Sequence, residues 1–310
     1  MELLLILLTS GVLQDGVVNG TYGSNPTDHR MTIVKDLTEL PREQAWQGNG
    51  EQFVWQPEGG AAELSEVSCE GKSLQSIVIR NRSDDAVRRL FREGNARAFL
   101  TLNVPQLKEP PQFKEHKRML LLYYAGLSGK TDGTQFIVYV NKTIRSVETL
   151  TGPGWRLCCT DLTQWAGETI ALELCVANPS AWAAFGHPVL ADVWGPYQAY
   201  PGGLAGTMDA GSSIEYEKTG GSRGLPNKPL FGLAQVDAFS PASIAISMST
   251  LSWEEWNQRK PEPVLLAPGT HWTPLVHEHP TLFAFTVLSG EGHLRNLDLI
   301  PLAPDFPIPK

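Results

Sequence analysis

The sequence predicts an all-β protein: an antiparallel jelly-roll β-sandwich with a smaller β-rich, loop-rich C-terminal region. Three observations carry this. About eight short stretches, apolar or alternating with period two, follow one another between residues 63 and 194, each bounded by turn residues. No strand–helix–strand alternation separates them, which argues against a parallel, doubly wound sheet. Gly (29) and Pro (23) are abundant for 310 residues, as many tight turns require.

The chain begins Met1-Glu2-Leu3-Leu4-Leu5-Ile6-Leu7-Leu8, followed by small residues. The apolar run is too short to span a bilayer. It reads as the apolar core of a secretory signal peptide over residues 1–18, although Glu2 stands where a cation is usual. Residues 19–62 are polar and Gly/Asn-rich and read as a loosely structured arm, with short apolar pieces at Met31–Val34 and Phe53–Trp55.

The sandwich is expected over 63–195. Its strands are Leu74–Ile79, Ala98–Val104, Met119–Tyr124, Gln135–Val140, Arg145–Leu150, Trp155–Thr160, Thr169–Val176 and Val189–Val193. Asp132-Gly133 and Asn141-Lys142 mark turns. Asp161–Gly167 reads as a one-turn helical corner, and Asp84–Arg92 as a helical interruption. Residues 196–229 are Gly-rich and read as a linker. Strands return in 230–310 at Ile244–Met248, Val264–Leu266 and Leu282–Leu288, and the Pro-rich last ten residues exclude a central strand there.

The formal net charge is −8, and Asp84, Asp85 and Glu93 interrupt the densest basic patch, Arg80 to Arg92. A surface that tracks phosphates needs clustered cations, so no nucleic-acid partner is expected. No later stretch reaches membrane-spanning length. The four cysteines, Cys69, Cys158, Cys159 and Cys175, form no metal-ligand spacing. They are expected in the sandwich as small buried residues, with one disulfide plausible if the protein is exported. Cys158 and Cys159 point to opposite faces of one strand. Cys158 and Cys175 are expected on neighbouring strands, because only a short corner separates them.

The order Gln135-Phe136-Ile137-Val138-Tyr139-Val140-Asn141, Gly152-Pro153-Gly154-Trp155, Asp161-Leu162, Trp165-Ala166-Gly167 and Ala181-Trp182-Ala183-Ala184-Phe185-Gly186-His187-Pro188 resembles the galactose-binding-domain-like sandwiches, carbohydrate-binding modules among them. The close match covers about 60 residues. The resemblance implies a jelly-roll fold, a glycan or polysaccharide partner, and loops that contact the ligand. It gives Trp155 and Trp182 a role as plugs of the sandwich, has Asp161 accept a backbone N–H at the corner and puts Gly167 in a left-handed conformation. One departure is Ala181, where the family carries Asp, so any role of that carboxylate in ordering a loop or binding a cation is lost. No cofactor is implied, and a structural calcium is left open.

A fainter resemblance is to the first metal motif of cupins. It rests on His277-Glu278-His279, Phe283 and Gly290, with His271 or His293 as a further imidazole. A metal site would need a carboxylate where Phe283 and Ala284 stand. The plainer reading is a hairpin with two solvent-facing histidines sharing one strand face. Glu254-Glu255 beside Trp253 and Trp256 read as an exposed amphipathic turn, since adjacent acids cannot flank one glycosidic bond. No nucleophile elbow, dinucleotide fingerprint, P-loop or HExxH motif occurs.

Nine tryptophans suit glycan recognition, because aromatic faces stack on sugar C–H surfaces, although many tryptophans serve as core. Asp132, Trp165 and Trp194 stand at loop ends and are the candidate ligand contacts, with no catalytic residue. The expectation is a non-catalytic, exported glycan-binding protein, secreted or on the cell surface. The alternatives are a structural subunit of a surface layer, filament or particle, self-assembling through its Gly/Pro-rich arms, and a metal enzyme at His277, His279 and His293.

Overall fold

The computed structural model describes residues 30–39, 47–48, 60–81, 96–107, 117–127, 133–177, 182–194, 198–200, 208–209, 213–217 and 228–309. The expected signal peptide, the Phe53–Trp55 piece, the helical segment 84–92 and Asp132 fall outside them. The chain divides into two compact units. One is built on 30–194 and includes 302–310, and the other is built on 195–261 and 266–301.

In the first unit, one sheet runs in the order β3 (Gly60–Cys69), β4 (Lys72–Asn81), β11 (Trp182–Trp194), β6 (Lys117–Leu127) and β9 (Arg156–Asp161), with β1 (Arg30–Asp36) also paired to β11. The other runs β2 (Gln47–Gly48), β5 (Ala96–Asn103), β10 (Thr169–Ala177), β7 (Thr134–Val140) and β8 (Thr143–Leu150). From β4 to β11 each connection crosses to the opposite sheet except the β7–β8 hairpin. That is the jelly-roll path. The core lies between the sheets: Leu121, Tyr123 and Phe185 from one meet Phe136, Val138 and Leu172 from the other, and Tyr123 and Phe136 hold their rings 5.0 and 5.1 Å from that of Phe185.

β6 is apolar on both faces. Its inward residues Met119, Leu121 and Tyr123 join the core. Its outward residues Leu120, Leu122 and Tyr124 are also buried, and the C-terminal residue Phe306 places its ring 6.4 Å from that of Tyr124. This explains the continuous apolar run. Midway along β11 the register shifts between Gly186 and Val189. There β11 changes neighbours on one side, from β4 to β1. His187 adopts φ +40 at this bulge and places Nε2 2.7 Å from Asp36 Oδ2, while the Leu37 N–H donates to the Pro188 carbonyl. Part of the expected arm is thus an integral strand.

The expectation for Cys158 and Cys175 is corrected. Cys158 lies on β9 and Cys175 on β10, and these strands belong to different sheets. The corner between them crosses from one sheet to the other instead of turning back within one. All four cysteines are buried and free. Trp155 also departs from its expected place. It packs on the outer face of the β3-β4-β11-β6-β9 sheet with Val67, Cys69, Val78 and Ala184, not between the sheets. Trp182 pairs through its backbone with Arg80.

The second unit follows the same path. One sheet runs β12 (Gln198–Tyr200), β20 (Glu291–Pro301), β15 (Leu230–Ala238) and β18 (Gly269–His277), with β13 (Met208–Asp209) paired to β20. The other runs β14 (Ser213–Glu217), β19 (Leu282–Ser289), β16 (Ala242–Ser249) and β17 (Val264–Leu266). Residues 196–229, expected as a linker, therefore supply three strands, and the C-terminal region is part of a full second jelly roll. A short helix, α1 (Trp253–Gln258), lays Trp256 against Ala245, Leu282 and Ala284.

Candidate functional site

Two of the tryptophans singled out in the sequence lie at one end of the first sandwich. Asp161 builds the corner that carries Trp165: its Oδ1 accepts the Thr163 N–H at 2.8 Å and also the Thr163 hydroxyl. The Leu162 N–H donates to the Met119 carbonyl, and the Met119 N–H donates to Thr163 Oγ1. The corner is stitched in this way to the start of β6. Gly167, at φ +84, turns the chain into β10, as the resemblance implied. Trp165 is 8% exposed and belongs to the core. The Arg145 guanidinium lies 4.6 Å from its ring centroid.

Trp194 ends β11 opposite Lys117, the first residue of β6. Beyond the bulge Leu190 faces the core, so Asp192 and Trp194 continue the inner face past the apolar interior. Asp192 is 4% exposed and accepts the Trp194 Nε1–H at 2.7 Å. Lys117 Nζ lies 5.4 Å from the Trp194 ring centroid. On the opposite face, Arg118 stands 3.8 Å from Asp161. The mouth of the sandwich therefore holds a half-buried indole, fixed at its edge by a buried carboxylate and flanked by a cation. Such a group offers an aromatic face with charged hydrogen-bonding partners around it.

Asp132 is not described. The residues on either side of that gap, Leu127 and Gly133, sit at the far ends of β6 and β7 from Trp165 and Trp194. Sequence reasoning missed Lys117, Arg145 and Asp192. Asp192 did carry a signal, as the one acid within the apolar run Val189–Val193.

The histidines of the cupin-like stretch do not converge. Leu230 lies opposite His277 and Asp237 lies opposite His293, at the two ends of β15, roughly 20 Å apart along the strand. β18 ends at His277, so His279 lies beyond the strand, and its N–H donates to His277 Nδ1 at 3.1 Å. Burial holds the His277 pKa below its usual value, with His279 adding to the effect and Glu278 opposing it. Among the described residues no cluster of three or more metal-ligating side chains occurs, and no helix is long and apolar enough to cross a membrane. Ser252 caps α1, exchanging hydrogen bonds with Glu255, and Trp256 donates its Nε1–H to Ser247 Oγ at 2.9 Å.

No protein-family model matches the chain, and no curated protein matches its sequence. Similar solved structures include the M60 catalytic domain with the CBM51-1 and CBM51-2 domains of Clostridium perfringens ZmpB, at 9% identity and a TM-score of 0.28 over 89% of this chain and 39% of that one. PNGF-II aligns at 10% identity and 0.24 over 68% and 60%. The major capsid protein P2 of bacteriophage PM2 aligns at 8% and 0.20 over 67% and 93%. The chain thus spans about two fifths of the first of these and three fifths of the second. At such scores the superpositions assign no role to any residue here.

Proposed function

We propose that the protein is an exported, non-catalytic carbohydrate-binding protein, and that the first sandwich takes a glycan at its Trp194 end. The supporting observation is the Trp194 ring itself, tied through Nε1–H to buried Asp192 and flanked by Lys117 at the mouth of the fold. An indole fixed in this way loses little conformational freedom when a sugar stacks on it. Binding of the full chain and of Trp194→Ala to a glycan microarray tests the reading. Wild-type binding that falls at least tenfold in the variant, with an unchanged melting temperature, is the expected result. Equal binding by the two proteins, or none by either, overturns it.

A second reading, a structural subunit of an assembly, draws on a different observation. Ile144 and Val147, 52% and 42% exposed, stand on β8, an edge strand of its sheet. Apolar groups on a strand edge favour association. A strict monomer in size-exclusion chromatography at high concentration would exclude this reading.

A further inference from the structure

The β7–β8 hairpin of the first sandwich carries two exposed cations, Lys142 and Arg145. The register of the hairpin shifts after Val138. Tyr139 lies opposite Ile144 and Val138 opposite Ser146, so Arg145 is the extra residue of a bulge. A bulge re-aims the side chain of its unpaired residue. Here the Arg145 guanidinium lies over the buried ring of Trp165, 4.6 Å from its centroid. The hairpin tip is fixed as well. Asn141 and Lys142 adopt φ +50 and +66. The Asn141 N–H donates to the Ala171 carbonyl, and Asn141 Oδ1 accepts the Ala171 N–H at 2.9 Å.

Neither cation is balanced. Among the described residues, no carboxylate pairs with the side chain of Arg145 or Lys142 and no acceptor bonds to it. The acids at this end of the sandwich are engaged or lie elsewhere. Asp192 is buried and accepts the Trp194 indole N–H. Asp161 holds the corner through Thr163 and stands 3.8 Å from Arg118. Glu168 is exposed, but its carbonyl accepts the Val104 N–H just past β5, and β10 and β7 lie between β5 and β8. In a chain of net charge −8, two unbalanced cations on one fixed hairpin form a local site for negative charge. A guanidinium laid over an aromatic ring keeps its N–H groups for hydrogen bonding, and its planar fork matches two oxygens of one acidic group.

We propose that the ligand of this end of the sandwich is an acidic glycan, and that Arg145 receives its carboxylate or sulfate in a paired contact while Lys142 adds a second positive charge at the hairpin tip. This role rests on the carbohydrate reading above but not on the Trp194 ring. Two cations suit one or two acidic groups on a sugar. They are too few to track a polyphosphate backbone, whose binding draws on many such contacts. Arg145 thereby sets specificity: neutral sugars leave its donors without an acidic partner.

The test is a microarray of matched neutral, carboxylated and sulfated oligosaccharides. The probes are the full chain, Arg145→Gln, Arg145→Lys and Trp194→Ala, each checked by thermal melting. The wild-type protein is expected to bind acidic members at least tenfold above their neutral counterparts, and the carboxylated and sulfated arms show which acidic group is taken. Arg145→Gln should remove the preference. Arg145→Lys keeps the charge without the fork and should retain only part of it. If Arg145→Gln does not fold, the loss in Arg145→Lys decides. Equal binding of acidic and neutral glycans, wild-type binding of acidic glycans by the folded Arg145 variants, or no glycan bound at all would each overturn the proposal. Neutral binding that Trp194→Ala abolishes, with no preference for acid, would leave the Trp194 reading standing without this one. Acidic binding lost in the Arg145 variants but kept in Trp194→Ala would support the Arg145 site and remove the Trp194 one.

Discussion

Trp155 fills the space that a side chain at Gly126 would need: a β-carbon on Gly126 would come within 2.5 Å of the indole. Gly186, across the strand pair, leaves room in the same way, and the Trp155 Nε1–H donates to the Lys72 carbonyl at 2.7 Å. The ring is seated on two glycines of neighbouring strands, β6 and β11.

This seat predicts a coupled pair of effects. Trp155→Ala should destabilise by about 2–3 kcal/mol, less than a fully buried tryptophan would. Gly126→Ala should cost about 1–3 kcal/mol, because the indole must move. With both changes the methyl group occupies space the ring has left, so the sum should fall short of additive. Urea denaturation of the two single variants and the double variant measures this, and strict additivity would show that the ring and the glycine do not compete for space.

Most strands of the first sandwich were legible because one face of each is apolar with period two, as in Ala98–Leu102. In the second unit only Ile244–Met248, Val264–Leu266 and Leu282–Leu288 were legible, and they lie in β16, β17 and β19; the jelly roll they belong to was not. β20 changes its alternation at a bulge, β12 to β14 are short pieces in a Gly-rich stretch, and a bulge or a two-residue strand leaves no periodic signature. The Cys158–Cys175 pairing failed because a short connection can cross between sheets as readily as it can reverse within one. At the candidate site, the position of Trp194 at a strand end could be read from sequence. Its bond to Asp192 depends on the β11 bulge, which sets which residues face inward.

The Asp36–His187 pair should shape acid stability. Burial alone would raise the Asp36 carboxyl, but hydrogen bonds from His187 and Thr38 outweigh it and hold the pKa below the ordinary carboxylate value. The folded state therefore binds its proton later than the unfolded chain as pH falls. The stabilisation is complete above the unfolded value of about 3.9 and is lost as pH drops through the folded one. Asp36→Asn should lower the melting temperature near pH 5 and flatten its fall below about pH 4. An unchanged slope in that window would show that the pair contributes nothing.

Asp192 should matter to both fold and ligand. It is buried and accepts the indole N–H of Trp194, so Asp192→Ala takes away the acceptor that holds the edge of the ring. A cost of about 1–3 kcal/mol is expected, together with weaker glycan binding. Trp194→Ala should affect binding far more than melting. Comparing melting temperature and array signal for the two variants separates these roles, and a large loss of stability in Trp194→Ala would make the ring structural.

His277 gives a stability effect of opposite chemistry to Asp36 but the same sign. Partial burial, reinforced by neighbouring His279, favours the neutral imidazole and lowers its pKa, with Glu278 pulling the other way. Nδ1 accepts the His279 N–H, which requires that nitrogen to be unprotonated. In the unfolded chain the ring takes up a proton near pH 6.5, while the folded ring does so only at lower pH. Stability from this group is thus complete above about pH 6.5 and declines as pH falls through the folded value. His277→Gln should remove that part of the slope just below about pH 6.5. The same variant bears on metal binding. With His277 and His293 at opposite ends of β15, adding zinc, nickel or manganese, or removing metal with a chelator, should leave the melting temperature of the wild-type protein unchanged. A metal-dependent rise in melting temperature that His277→Gln abolishes would place a metal site at this hairpin after all.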